Sequence, residues 1–173
     1  MTGPLPRSGP VLAVLSCLIG SLAIAAASSA LPQAPPIDPT GRLLSAARTC
    51  SSNLAAAPQV ACSAVQFEQQ LGQLTIRFIS QGLQADESNQ LVFVGVLAPG
   101  NPPMVCQQGR CQLQGAISTT VASVSERSFD GRGLAKTLPR AWPANGLCRV
   151  EQRQVRCEAK ALSHERWSAV ADF

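Results

Sequence analysis

Six of the seven cysteines fall in three close pairs, Cys50 with Cys62, Cys106 with Cys111 and Cys148 with Cys157. The last pair narrows the possible folds more than any other feature of the chain. Folded as a hairpin about Gln152 and Arg153, the segment sets Glu151 opposite Gln154, Val150 opposite Val155, Arg149 opposite Arg156 and Cys148 opposite Cys157. Side chains alternate faces along a strand, so the cysteines and valines share an apolar face, and Arg149, Glu151, Gln154 and Arg156 share a wet one. Pairs in such a hairpin alternate between hydrogen-bonded and non-hydrogen-bonded, and the cysteines land on the closer, non-hydrogen-bonded type, which suits a cross-strand bridge. Gln-Arg is an unusual two-residue turn, because both positions require positive φ.

The segment 104–113 repeats the logic. With Gln108 and Gly109 as the turn, Cys106 faces Cys111, and Gly109 supplies the positive φ at no steric cost. Two segments with the same geometry favour local pairing, which leaves Cys50 and Cys62 as the third bridge. A zinc site is the rival explanation for paired cysteines. The gap between Cys148 and Cys157 suits a zinc ligand set poorly, and the one histidine, His164, has no second histidine to join it. No metal or cofactor is expected.

The N-terminal segment gives the compartment in which such bridges persist. Arg7 is followed by an uncharged stretch from Ser8 to Ile37, apolar from Val11 to Ala27 and then small at Ser28, Ser29 and Ala30. A basic start, an apolar run and small residues before a cleavage point form a bacterial-type secretory signal. Cleavage is expected after Ala30, and cleavage after Ala27 also satisfies the pattern. Two alternatives are an uncleaved anchor formed by residues 11–27 and lipid attachment at the seventh cysteine, Cys17. No basic cluster follows the apolar run, and the run continues well past Cys17, where a lipidated terminus would be polar. The expected location is secreted or periplasmic, with the membrane reached only through an uncleaved N-terminal segment. An even set of six cysteines in an exported chain reads as three disulfides.

The organisation expected is a signal peptide over 1–30, a proline-rich linker over 31–40 and a single disulfide-stapled domain over 41–173. Leu43, Leu44, Ala47, Cys50 and Leu54 recur at helical spacing. Ser63 to Gln66 matches a capping box, with Ala64, Phe67 and Leu71 as an apolar stripe. These patterns predict two short N-terminal helices clipped by Cys50–Cys62. Residues 74–79 alternate as a strand, with a helix continuing from Phe67 through Leu71, Leu74 and Phe78 as the competitor, 91–98 are apolar on both faces, and 116–124 are rich in β-branched residues. Residues 125–147 carry glycines and prolines without sustained periodicity and predict a long loop, and a short C-terminal helix from Ser163 would bury Trp167. The fold class expected is α+β: two short N-terminal helices followed by an antiparallel β-sheet with disulfide-bridged hairpins.

No catalytic constellation emerges. There is no G-x-S-x-G elbow, no phosphate-binding glycine loop and no C-x-x-C pair, and nothing singles out two carboxylates. The chain has no tyrosine and two tryptophans, Trp142 and Trp167, which leaves little for stacking sugars or bases, so no nucleic-acid partner is expected. Charge is more informative. From Arg127 to Arg166 nine basic residues stand against four acids, Asp130, Glu151, Glu158 and Glu165. Arg149 directly opposite Arg156 is unfavourable as a bare pair and would be relieved by an anion. Arg149, Arg156 and Arg153 are therefore the candidate anion contacts, and the partner an anionic polymer or protein of the envelope. The function expected is an exported, disulfide-stabilised interaction or structural module, with the 125–147 loop and the basic hairpin as its contact surface. A small secreted enzyme using carboxylates and arginines without a recognisable motif is the alternative, and a pilin-like subunit is disfavoured by the lack of an acid near the start of the apolar segment.

Overall fold

The computed structural model describes residues 40–54, 57–98 and 104–173. The signal-peptide reading of 1–30 with its cleavage at Ala30, and the linker reading up to residue 39, lie outside the described residues. Among the described residues the structure is all-β and has no helix. Twelve strands form one sheet: β1 (Thr40–Ala46), β2 (Thr49–Leu54), β3 (Ala57–Ala61), β4 (Ala64–Gln70), β5 (Gln73–Gln81), β6 (Ser88–Leu97), β7 (Val105–Gln107), β8 (Arg110–Gln112), β9 (Ile117–Phe129), β10 (Arg140–Glu151), β11 (Gln154–Ala161) and β12 (Arg166–Asp172). The order across the sheet is β3-β2-β12-β11-β10-β9-β6-β5-β4-β1-β8-β7, antiparallel except for a single parallel contact between β1 and β8.

The expected α+β class is therefore corrected, and the two predicted N-terminal helices are the point of failure. Residues 40–54 and 57–70 form one long hairpin instead. Its β1 and β4 halves pair from Thr40↔Gln70 to Ala46↔Ala64, and its β2 and β3 halves from Ser51↔Ala61 to Leu54↔Ala57. The backbone bonds Ala47 N→Ser63 O and Cys62 N→Cys50 O, with the Cys50–Cys62 disulfide, join the two halves. Pairing along the hairpin explains why helical spacing misleads. In β4 the buried residues are Val65, Phe67 and Gln69, in strict alternation, while Leu71 of the presumed helical stripe is 80% exposed in a turn. In β1 the neighbours Leu43 and Leu44 point to opposite faces, and Leu44 is left 62% exposed. Tertiary strand partners decide such short, alanine-rich segments, whose own propensity is weak.

This hairpin also bends the sheet. Its base half bonds through β4 to β5, and its tip half through β2 to β12. The meander β5-β6-β9-β10-β11-β12 is thereby pulled round into a curled half-barrel whose two sides are tied by one hairpin. The concave face holds the core. Phe67, Leu74, Ile76, Phe78, Leu91, Phe93, Val121, Val124, Val150, Val155 and Trp167 are each at most 2% exposed. Phe78 and Phe93 pack edge to face at 5.9 Å between ring centroids, and Phe67 meets Phe173 at 5.4 Å. The Cys148–Cys157 and Cys106–Cys111 bridges lie inside this core as apolar filling. Buried Gln69 closes one end, accepting from Met104 N at 2.8 Å and donating to Met104 O at 3.3 Å, and so fixes the entry to the β7–β8 hairpin.

Two other expectations are corrected. The 125–147 loop is mostly strand: β9 runs to Phe129, β10 begins at Arg140, and only residues 130–139 connect them. The glycines and prolines that suggested a loop fall in that connection or at a register shift in β10 between Pro143 and Gly146. At this shift, and at a matching one beside Gly95 of β6, the neighbouring backbone comes too close for a side chain, so a Cβ at Gly146 would strike the Glu158 carbonyl and one at Gly95 the Thr120 carbonyl. The predicted C-terminal helix is β12, and His164 sits exposed in the β11–β12 turn. Trp167 is buried, by alternation with Ala169 and Ala171 rather than by a helical face.

Both predicted disulfide hairpins have the register read from the sequence. Cys148 opposes Cys157 with Cα atoms 4.1 Å apart, and Cys106 opposes Cys111 at 3.9 Å. Gln108 and Gly109 take φ of 50° and 75°, and Gln152 and Arg153 take 47° and 69°. The second turn therefore holds two ordinary residues in the left-handed region, a conformation that costs roughly 1–2 kcal/mol per residue and is easier for asparagine. Gln152→Asn is expected to raise unfolding stability by about 0.5–1 kcal/mol. A urea midpoint that is unchanged or lower would refute this.

Candidate cationic groove on the outer sheet face

The alternation that turns Cys148, Val150, Val155 and Cys157 inward turns Arg149, Arg156, Glu158 and Lys160 outward. Pairing of β11 with β12 sets Lys160 opposite Arg166 and Glu158 opposite Ser168. The outer faces of β10, β11, β12 and β2 together line a groove of about 790 Å³, with Arg149, Arg156, Lys160 and Arg166 along it and Glu158 as its one acid. The cations form two facing pairs, Arg149 with Arg156 and Lys160 with Arg166. Arg156 and Lys160 are four residues apart on one strand, about 13 Å at the usual strand rise.

One wall of the groove is fixed by Asn53, which lines it. Asn53 of β2 donates from Nδ2 to Arg166 O at 2.9 Å, and its Oδ1 accepts from Ser168 N at 2.5 Å. That side chain bridges β2 to β12 where the β2–β3 register shifts between Ser52 and Leu54. Gly146 and Ala159 also line it, and at Gly146 the β11 backbone lies too close for a side chain.

None of the four groove cations has an ion-pair partner among the described residues. The ion pairs there lie elsewhere: Arg77–Glu68, Arg132–Asp130, Lys136–Glu87 and Arg140–Glu126. Glu151 faces Gln154 across the hairpin. Arg153 is placed differently from Arg149 and Arg156. It occupies the turn and donates from Nε to Phe173 O at 2.7 Å, so it anchors the chain's last residue and does not line the groove. Lys160 and Arg166 are the members that sequence reasoning missed. Alternation along β11 was the available signal, but the strand that brings Arg166 opposite Lys160 reads as a helix.

Several carboxylates are engaged in fixing loops and strands. The Lys136 ammonium holds Glu87 below the usual carboxylate range, and the Leu134 backbone N–H does the same for Asp130. The Ser163 hydroxyl lowers Glu165, and the Thr49 hydroxyl, followed by the Gln154 amide, lowers Asp172. These shifts favour the charged form, the reverse of what a general acid needs near neutrality. Glu126 points into the concave face, accepting from Trp167 Nε1 at 3.0 Å and from Arg140 Nη2 at 3.0 Å. Arg140 lies 5.6 Å from the Trp142 ring centroid, and Trp142 packs on Trp167 at 4.9 Å. Trp142 is thus half-buried against the core. No three His, Cys, Asp or Glu side chains converge as a metal ligand set, and no helix is long and apolar enough to cross a membrane, among the described residues.

Comparison with protein-family models, with curated proteins and with solved structures finds no match to this chain. The three disulfides fit an extracellular or periplasmic, disulfide-stabilised protein.

Proposed function

We propose that residues 41–173, exported after removal of 1–30, act as a disulfide-stabilised binding module of the cell envelope or extracellular space, whose β10–β11–β12 face holds an anionic polymer. The observation that carries this reading is the groove itself: four cations in two facing pairs, one acid, and no ion pair to neutralise them among the described residues. Like charges placed opposite one another on a sheet are unfavourable unless a counter-charge lies between them. Two such pairs about 13 Å apart along one strand suit a ligand that repeats its negative charge better than one that carries a single charge. A rigid platform serves that role, because ordering the cations before binding reduces the entropy lost on association.

The test is retention on immobilised polyglutamate and dextran sulfate at low ionic strength. The wild-type protein is expected to bind and to elute as salt screens the contacts. Arg149→Glu with Arg156→Glu is expected to pass through unretained. A charge-matched control, Arg48→Glu with Arg132→Glu, changes two exposed arginines outside the groove and is expected to remain bound. Equal retention of the two double variants would mean that bulk charge and not the groove does the binding.

A further inference from the structure

A second cationic pocket lies on the outer face, across β4, β5, β6 and β9, away from the groove. Its volume is about 230 Å³, and its walls include Glu68, Thr75, Arg77, Val92 and Arg127. Val92 is 1% exposed although it faces outward between Arg77 and Ser125, and Thr75 is 7% exposed, so the floor is dry. Arg77 gives Nη1 to Glu68 at 2.5 Å, which neutralises one guanidinium. Arg127 is different. Its Nε is buried and has no hydrogen-bond partner among the described residues. Arg127 as a whole is partly exposed, but buried donors such as its Nε are almost always satisfied.

We propose that this pocket is a binding site for a compact oxyanion, a single carboxylate or phosphate group, held by Arg127 with Arg77 beside it. A guanidinium presents parallel N–H groups that match the two oxygens of such an anion. Arg127 supplies the uncompensated charge, since Glu68 is committed to Arg77. The Thr75 hydroxyl gives a further polar contact, and Val92 excludes water beneath, which strengthens the ionic hydrogen bonds. The size suits one anionic group and not a polymer segment, so this site is separate from the groove in place and in ligand.

The arginine Nε–H resonances of the ¹⁵N-labelled full chain report on it directly. Titration with inorganic phosphate, and separately with acetate, at constant ionic strength is expected to shift the Arg127 and Arg77 signals saturably with at least one of the two. The anion that saturates names the source. Arg127→Gln is expected to weaken that binding roughly tenfold or more, because it removes a charged donor. It is also expected to fold with undiminished stability, since it deletes a group with no partner to lose. Arg127→Lys keeps the charge but loses the fork, and is expected to bind with intermediate strength. The Arg149→Glu, Arg156→Glu variant is expected to titrate like the wild type, so failure of the groove reading would leave this site standing. Non-saturating shifts with both anions, or unchanged affinity in Arg127→Gln, would overturn the proposal.

Discussion

Reduction of the three disulfides is expected to unfold this domain at temperatures where the oxidised form is fully native. Each bridge closes a short loop, with sequence separations of 5, 9 and 12 residues. Loop-closure entropy assigns roughly 2–3 kcal/mol to each, or about 7–8 kcal/mol for all three. Domains of this size have net stabilities of about 5–15 kcal/mol, so the bridges account for a large share of the total. Two of them also fill the core: Cys148, Cys157, Cys106 and Cys111 are at most 3% exposed, and breaking them places thiols where packed sulfur was. Circular dichroism melts with and without a thiol reductant provide the measurement. The midpoint is expected to fall by on the order of 20 °C or more. A reduced protein melting within a few degrees of the oxidised one would show that the sheet supports itself.

Truncation of Trp167 to alanine is expected to be the most damaging single substitution, at about 3–5 kcal/mol. The indole is 1% exposed, packs on Trp142 and donates from Nε1 to Glu126. It sits between Arg166 and Ser168 on β12, the strand through which the long hairpin closes the sheet at β2. A cavity there loosens the closure as well as the core. Trp167→Phe restores most of the apolar contact but withdraws one donor from the Glu126 carboxylate, and is expected to cost less, about 1–3 kcal/mol. Urea unfolding of the two variants separates packing from hydrogen bonding. A loss under about 1 kcal/mol in Trp167→Ala would mean that the tryptophan pair is a surface ornament of the fold and not part of its core.

The groove and the core are two readings of the same period. On β11 the residues Val155, Cys157, Ala159 and Ala161 face inward, while Gln154, Arg156, Glu158 and Lys160 face outward. A one-residue slip in register would bury the cations and expose the cysteines. The Cys148–Cys157 bridge pins that register covalently, so the same bond that closes the core also holds Arg149 opposite Arg156.

The part of the fold legible in the sequence has this local character. The ten residues from Cys148 to Cys157 contain the turn, the bridge and the paired ends of both strands, and their pattern of apolar and charged residues places every pair among them. The Gln108–Gly109 hairpin was legible for the same reason, as were the strand at 74–79 and the apolar strand from Leu91. The remaining elements depend on contacts that the assembled sheet supplies. Residues 40–54 and 64–70 carry apolar residues at spacings that suit a helix as well as a strand; β2 finds its partner β12 at the far end of the chain, while β4 forms with β5 a tight hairpin that its helical spacing conceals. In residues 125–147 proline and glycine mark a register shift of β10 against β9, which exists only once those two strands lie alongside. The groove shares this origin: Arg149 and Arg156 are neighbours by a hairpin, but Arg166 joins them only when β12 is a strand. A residue's own propensity is worth a few tenths of a kcal/mol, whereas a shared ladder and a buried face contribute several. The sequence declares a pair where facing cysteines flank a legible turn, and elsewhere, even across the short β4–β5 and β11–β12 connections, the assembled sheet decides.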